Sequence, residues 1–168
     1  VTLPLDMEMK GFSESDYGAV IAVNGAVIVL LGLPASRIVP QLPAAPALAT
    51  AALLIGVGFG LIPAANSVPL LMLTVVIWTL GELFTSPISN ALIADLAPVE
   101  MRGVYMGFFG MSWGLANFLA PALGGFVLDR LGQSWLWGGA AVLGAVIAVC
   151  YLLLRTQLET RMHAESTQ

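Results

Sequence analysis

Apolar residues run along this chain in blocks of about 20, the length one helix needs to cross a hydrocarbon core, and short breaks carrying proline, glycine or charge separate them. The pattern predicts an all-α, polytopic transmembrane bundle of five full spans plus the end of a sixth. The spans fall at about 17–39, 44–62, 70–94, 99–128 and 135–154. Residues 1–12 read as the end of a preceding span and an outer loop, with charges too dense for hydrocarbon. Residues 13–154 form the bundle, and 155–168 a polar, solvated and partly disordered cytoplasmic tail. Ser13 and Asp16 make a capping-box-like start for the first full span, with acids where the helix dipole favours them.

The spans differ in what they carry. The second holds no side chain more polar than Thr50, and the fifth, past Trp135 and Trp137, none beyond Cys150, so both can face lipid all round. The two tryptophans are expected as interfacial anchors. The first span carries Asn24, the third Glu82 and the fourth Asn117. Each should turn inward, because an unpaired polar group in hydrocarbon is costly. Three lining helices and two peripheral ones follow.

Glu82 is the leading functional candidate. A carboxylate at the bilayer centre costs roughly 3 kcal/mol on insertion scales, so it is paired, protonated or turned to a watery cavity. At 100° per residue Trp78, Glu82, Thr85, Ser86 and Ser89 share one stripe, which suits a proton site or a cation-binding wall. The competing reading makes Glu82 a protonated hydrogen-bonding group that holds two helices together. Pro87 is expected to kink the helix and free the Leu83 carbonyl.

On the fourth span Gly103, Gly107, Gly110 and Gly114 form a small-residue groove, read as a helix-packing surface, with Trp113 and Asn117 at its border as cavity candidates. Arg37, Asp95 and Arg102 are candidates for a gate at the cytoplasmic face, against the alternative of a solvated turn.

Composition narrows the function classes. The chain has 168 residues, 58 % of them hydrophobic and 10 % charged, far too few charges to cover a soluble domain. The net charge of −4 comes largely from Asp6, Glu8, Glu14 and Asp16, so it describes one loop and does not point to nucleic acid. The lone Cys150 permits no disulfide within the chain, and no cofactor is expected. The only histidine, His163, lies in the tail, away from any array that would suggest a membrane enzyme. Alternating crossings put Arg37, Arg102, Arg155 and Arg161 on one side against Lys10 and Arg130 on the other, which places the C-terminus in the cytoplasm. The opening Val1-Thr2-Leu3-Pro4 has neither a methionine nor a signal peptide and is read as a cut or processed point.

Gly11-Phe12-Ser13, Trp78-Thr79-Leu80-Gly81-Glu82 with Pro87, Ala97-Pro98-Val99-Glu100-Met101-Arg102-Gly103, Trp113-Gly114, and Pro121-Ala122-Leu123-Gly124-Gly125 followed by Asp129 together resemble the major facilitator superfamily, specifically its bacterial drug-efflux-like members. The resemblance covers nearly the whole chain, from the end of the family's seventh helix through its twelfth. It implies the C-terminal half of a twelve-helix transporter that rocks about a central cavity. The implied tenth helix lines the cavity, the eighth and eleventh pack against the N-terminal half, and the ninth and twelfth are peripheral. The family's cytoplasmic Gly-x-x-x-Asp-Arg motif appears only as Gly32-Leu33-Pro34-Ala35-Ser36-Arg37, with Ser36 where the acid would stand, which weakens a latch role for Arg37.

The expected function is proton-coupled export of small amphipathic molecules from the bacterial cytoplasm. Its implied partners are the bilayer, a small-molecule substrate, protons and the N-terminal half. The alternatives are a proton-coupled nutrient symporter and a non-transporting membrane fragment or partner subunit. One wall of a cavity is not expected to transport alone.

Overall fold

The computed structural model describes residues 2–156, and its regular structure is helical throughout. A short helix α1, Thr2–Met9, tolerates Pro4 because the first turn needs no intrahelical donor there. Gly11, at φ +83°, closes it: the Phe12 amide returns to the Met7 carbonyl at 3.0 Å and the Gly11 amide to Glu8 at 2.9 Å, which satisfies carbonyls that the helix end would otherwise orphan. Helix α2, Glu14–Ile38, starts at a capping box in which the Ser13 amide donates to Asp16 Oδ2 at 2.9 Å and the Asp16 amide to Ser13 Oγ at 3.2 Å. After a turn of 3-10 helix at Val39–Gln41 come α3, Ala44–Gly60, and α4, Val68–Leu96. Helix α5, Arg102–Leu131, and α6, Gln133–Leu153, are joined by Gly132 alone, at φ +86°. Five of these helices are long and apolar enough to cross a membrane. Asp129 and Arg130 lie within α5, because the chain reverses only where glycine permits a positive φ. Residues 157–168 of the expected tail lie outside the described residues.

Helix α3 is the centre of the bundle. Half of its most apolar window is buried, against 6 % in α2 and in α5, and it packs on α4 along one side and α6 along the other. The second and fifth spans, whose composition allows them to face lipid all round, are thus packed on each other along one face. An absence of polar side chains lets a helix face lipid but does not oblige it to. Here small residues decide the packing, since they let backbones close on one another. A methyl added at Gly144 would lie 2.7 Å from the Ala52 carbonyl oxygen, and one at Gly60 would lie 2.8 Å from Ala141 Cβ. Toward α4, a methyl at Gly58 would meet the Trp78 backbone nitrogen at 2.8 Å, and one at Gly81 the Ala51 carbonyl oxygen at 2.7 Å.

Two apolar clusters close the ends of this three-helix unit. One gathers Leu3, Met7, Val20, Ile62, Leu71, Val75, Trp78 and Trp137. The other gathers Val39, Ala44, Leu48 and Ile88. Trp135 is 70 % exposed, but Trp137 is buried, with its ring 5.8 Å from Phe59, so only the first of the pair suits an interfacial position.

Asp6, read above as part of a charged loop, is 1 % exposed. Its carboxylate lies 3.4 Å from Lys10 Nζ, one helical turn away, and that ammonium donates to the Ile62 carbonyl at 2.6 Å and the Ala65 carbonyl at 3.4 Å. The ion pair thereby fastens α1 to the α3–α4 turn.

Two outcomes test this packing. Gly144→Ala is expected to lower stability by about 1–3 kcal/mol through overpacking. Gly139→Ala, on the same helix but with open space at its Cβ position, should not; chemical denaturation in detergent micelles reads both. Lys10→Met should cost about 3–5 kcal/mol by leaving a buried carboxylate alone, and most of that loss should be recovered in the Asp6→Asn/Lys10→Met double variant.

Candidate membrane-embedded cavity

Glu82 is the fifteenth of the 29 residues of α4, so it stands near mid-span of a helix about 43 Å long. Gly81 beside it brings α4 against the α3 backbone, which fixes both the depth and the rotation at which Glu82 emerges. From α2, the Asn24 amide reaches across. Its Nδ2 donates to Glu82 Oε2 at 3.1 Å and to Thr79 Oγ1 at 2.9 Å, using both of its hydrogens. Thr79 is fully buried, and its hydroxyl donates to the Val75 carbonyl at 2.6 Å, which leaves its lone pairs to accept from Asn24. The Thr79 hydroxyl thus orients Asn24, and Asn24 orients Glu82. Oε1 of Glu82 has no bond to another described residue.

Glu82 opens onto a cavity of about 360 Å³. Ile28, Gly32 and Ala35 of α2, Ile55 of α3, Leu83, Thr85, Ser86 and Pro87 of α4, and Trp113 of α5 complete the wall. A second cavity of about 340 Å³ adjoins it through Thr85, Ser86 and Trp113, and extends along Ser89, Asn90, Met106, Phe109 and Gly110. Of the residues singled out in the sequence, Glu82, Ser86, Ser89 and Trp113 therefore line these two adjoining cavities, and Asn24 holds the carboxylate at the edge of the first.

The others stand elsewhere. Trp78 shares a helix face with Glu82 but is buried in the outer apolar cluster, its ring centroid 4.8 Å from that of Phe59, because the close approach at Gly58 draws it toward α3. Asn117 donates to its own helix, at the Trp113 carbonyl, 2.9 Å away. Gly103, Gly107, Gly110 and Gly114 have open space where side chains would project, so nothing among the described residues fills that groove. At the far end, Arg102 Nε donates to the Ala94 carbonyl at 3.2 Å and caps the C-terminus of α4. Among the described residues no ion pair joins Asp95 to Arg102 or to Arg37, and the Arg37 backbone carbonyl accepts a hydrogen bond from the Gln41 side-chain amide at 2.7 Å. A proposed latch among these three is therefore not formed in this conformation.

Sequence reasoning passed over Gly81, Thr79 and Asn90. Gly81 and Thr79 stood inside the quoted Trp78–Glu82 stretch, and the spacing of Thr79 to Glu82, three residues, was signal enough to place both on one helix face.

The Asn24 bond carries a measurable expectation. In a double-mutant cycle with Asn24→Leu and Thr79→Val, the coupling energy should fall at about 0.6–1.7 kcal/mol, the range of interhelical hydrogen bonds in membranes. Denaturation of the four proteins in micelles measures it.

Comparison with known proteins agrees with this architecture. The sequence model of the Major Facilitator Superfamily matches residues 1–168. The chain is 27 % identical over 89 % of its length to YdeE, an uncharacterised MFS-type transporter of Escherichia coli (strain K12), and covers 37 % of that protein. It is 25 % identical over 70 % of its length to a Na(+), Li(+), K(+)/H(+) antiporter of Planococcus maritimus, covering 28 % of it. Multidrug resistance protein 3 of Bacillus subtilis (strain 168) is 32 % identical over 46 % of the chain, which covers 15 % of that relative. The chain thus spans well under half the length of these curated relatives. No solved structure matches significantly. With a family match along its entire length and five helices able to cross a membrane, this integral membrane chain belongs to the Major Facilitator Superfamily.

Proposed function

We propose that this chain forms one wall of a proton-coupled secondary transporter, in which Glu82 carries either a proton or the positive charge of a small amphipathic substrate, exported from the cytoplasm by alternating access. The observation that carries the reading is the position of Glu82. Among the described residues it is the one carboxylate lining the two adjoining cavities, and its partner across the helix interface is the neutral Asn24 amide rather than a cation.

The chemistry follows from that pairing. Asn24 donates to Oε2 and steadies the ionised side chain, while Oε1 remains open to take a proton from water in the cavity. A neutral Glu82 no longer pulls a cation into a low-dielectric space; an ionised one does. Proton and cationic substrate are therefore exclusive occupants of one charge, and exclusion at a single site is sufficient to couple their movements when the site opens alternately to the two sides. The aliphatic and aromatic remainder of the wall, with Trp113 foremost, suits an organic substrate.

The antiporter name of the Planococcus relative raises alkali cations as a second cargo. The wall around Glu82 favours the organic reading, because its side chains are mostly aliphatic or aromatic and, apart from Glu82, the only side-chain oxygens are the hydroxyls of Thr85 and Ser86. The membrane is proposed to be the bacterial inner membrane, with the α4–α5 loop and the C-terminus in the cytoplasm.

Glu82→Gln in the complete transporter, reconstituted in proteoliposomes, is expected to abolish substrate movement driven by a pH gradient while leaving helix content and folding unchanged. Coupled transport that persists at the wild-type rate would remove Glu82 from the mechanism. The sign of the pH change on adding substrate separates export from symport of a nutrient.

A further inference from the structure

Hydroxyls inside these helices mostly satisfy themselves. Ser36, Thr50, Thr74, Thr79, Thr85 and Ser112 each donate to a carbonyl three or four residues back, at 2.6 to 3.0 Å. That is the usual way for a hydroxyl to be carried through a membrane helix. Ser86, Ser89 and Asn90 depart from it: none makes a side-chain hydrogen bond to another described residue. All three line the second cavity, and Ser86 lines the first as well. Ser86 and Asn90 are exposed and Ser89 half-buried, so their polar atoms are open to water, a ligand or another part of the full-length protein.

Their placement relative to Glu82 is set by helix geometry. Ser86 and Ser89 lie within about 60° of one another around α4, with Glu82 between them, and Ser89 and Asn90 stand roughly 10–12 Å further along the axis than Glu82. Between the two ends lies the indole of Trp113, which borders both cavities, and beyond it Phe109 and Met106. The two adjoining cavities, taken together, thus offer a charged end, an aromatic wall common to both and an uncharged hydrogen-bonding end.

We propose that Ser86, Ser89 and Asn90 form a second subsite that binds the polar end of an elongated substrate whose cationic end lies at Glu82. The class this selects is an organic cation with an aromatic or aliphatic body and a hydroxyl, carbonyl or amide group about 10 Å from the charged nitrogen. Asn90 offers both donor and acceptor, and the two serines the same on a shorter reach, so the subsite reads the presence of a polar group rather than its sign. Discrimination is strong in the direction that matters: a site whose polar atoms need a partner disfavours the analogue that lacks one. This inference rests on the reading of Glu82 as the cation's counter-charge and adds to it the length and the second functional group of the cargo.

The test uses proteoliposomes of the complete transporter and two matched probes, an aryl-alkyl ammonium with a terminal amide about 10 Å from the nitrogen and the same molecule ending in a methyl group. Wild type should favour the amide probe in kcat/KM. Ser89→Ala/Asn90→Ala should lower kcat/KM for the amide probe roughly 5- to 30-fold and for the methyl probe less than about 2-fold, the scale expected when one or two hydrogen bonds are lost. Ser89→Thr/Asn90→Gln, which restores the polar groups, should recover much of the preference and excludes a folding defect. Equal losses for both probes, or a preference that survives the alanine variant, would overturn the subsite while leaving Glu82 in place. Wild-type transport of both probes by Glu82→Gln would instead overturn the counter-charge reading on which it stands.

Discussion

Backbone contact between helices is the constraint from which the remaining geometry follows. In water a helix pair is held by burying apolar surface, but in a bilayer the lipid tails are as apolar as leucine, so helices stay together through close packing and hydrogen bonds. The glycines of α3 and its neighbours supply the packing. Gly56, Gly60 and Gly144 let α3 and α6 touch, while Gly58 and Gly81 let α3 and α4 touch. Because Gly81 and Glu82 are consecutive, the contact that holds α4 in the bundle also determines where its carboxylate emerges. Asn24 then needs only to reach from α2 to a position already set.

Two carboxylates are drawn into this bundle, and they are treated in opposite ways. Asp6 has a tethered cation, Lys10, whose remaining hydrogens are taken by two backbone carbonyls. Neither Asp6 oxygen takes a hydrogen bond, but the carboxylate is buried beside its own cation, and the pair's role is to hold α1 against the α3–α4 turn. Among the described residues Glu82 has only a neutral amide for company, with one oxygen unbonded and an open cavity before it. A charge without a resident counter-charge must be balanced by a proton or a visitor when the surroundings are apolar. The contrast within one chain therefore strengthens the assignment of an exchangeable occupant to Glu82 more than its mid-span position does alone.

How much of this could be read from the residues depended on the kind of signal. Helix number and type came from runs of apolar residues, which the bilayer enforces strongly, and the Ser13–Asp16 cap from a local motif that completes itself within four residues. The candidacy of Glu82 followed from its cost in hydrocarbon. What failed was inference from polarity to packing. Helix α3 carries no side chain more polar than Thr50, which allows it lipid on every side, yet its glycines and alanines pack it between α4 and α6; it lends the Glu82 cavity only Ile55. Trp78 follows the same helical phase as Glu82 but is turned into the apolar cluster by the approach at Gly58. Asp6 looked like a loop acid because its partner's two carbonyl contacts lie more than fifty residues away, where no local pattern can show them.

The same unevenness of packing bears on how a wall of this kind would work. Helices α3, α4 and α6 are locked at backbone distance, whereas α2 and α5 leave most of their surface open, with Val29 and Phe118 each 78 % exposed. Those faces carry no penalty in a bilayer, so their exposure alone implies no partner. What matters is that α2 supplies Ile28, Gly32 and Ala35, with Asn24 at the edge, and α5 supplies Met106, Phe109, Gly110 and Trp113, cavity groups that the glycine contacts do not fix. The carboxylate thus sits on the rigid part, and the groups that orient it and flank its occupant sit on helices held more lightly. In a transporter that alternates between two openings, this division lets the geometry around the charge change while the charge itself keeps its depth and direction.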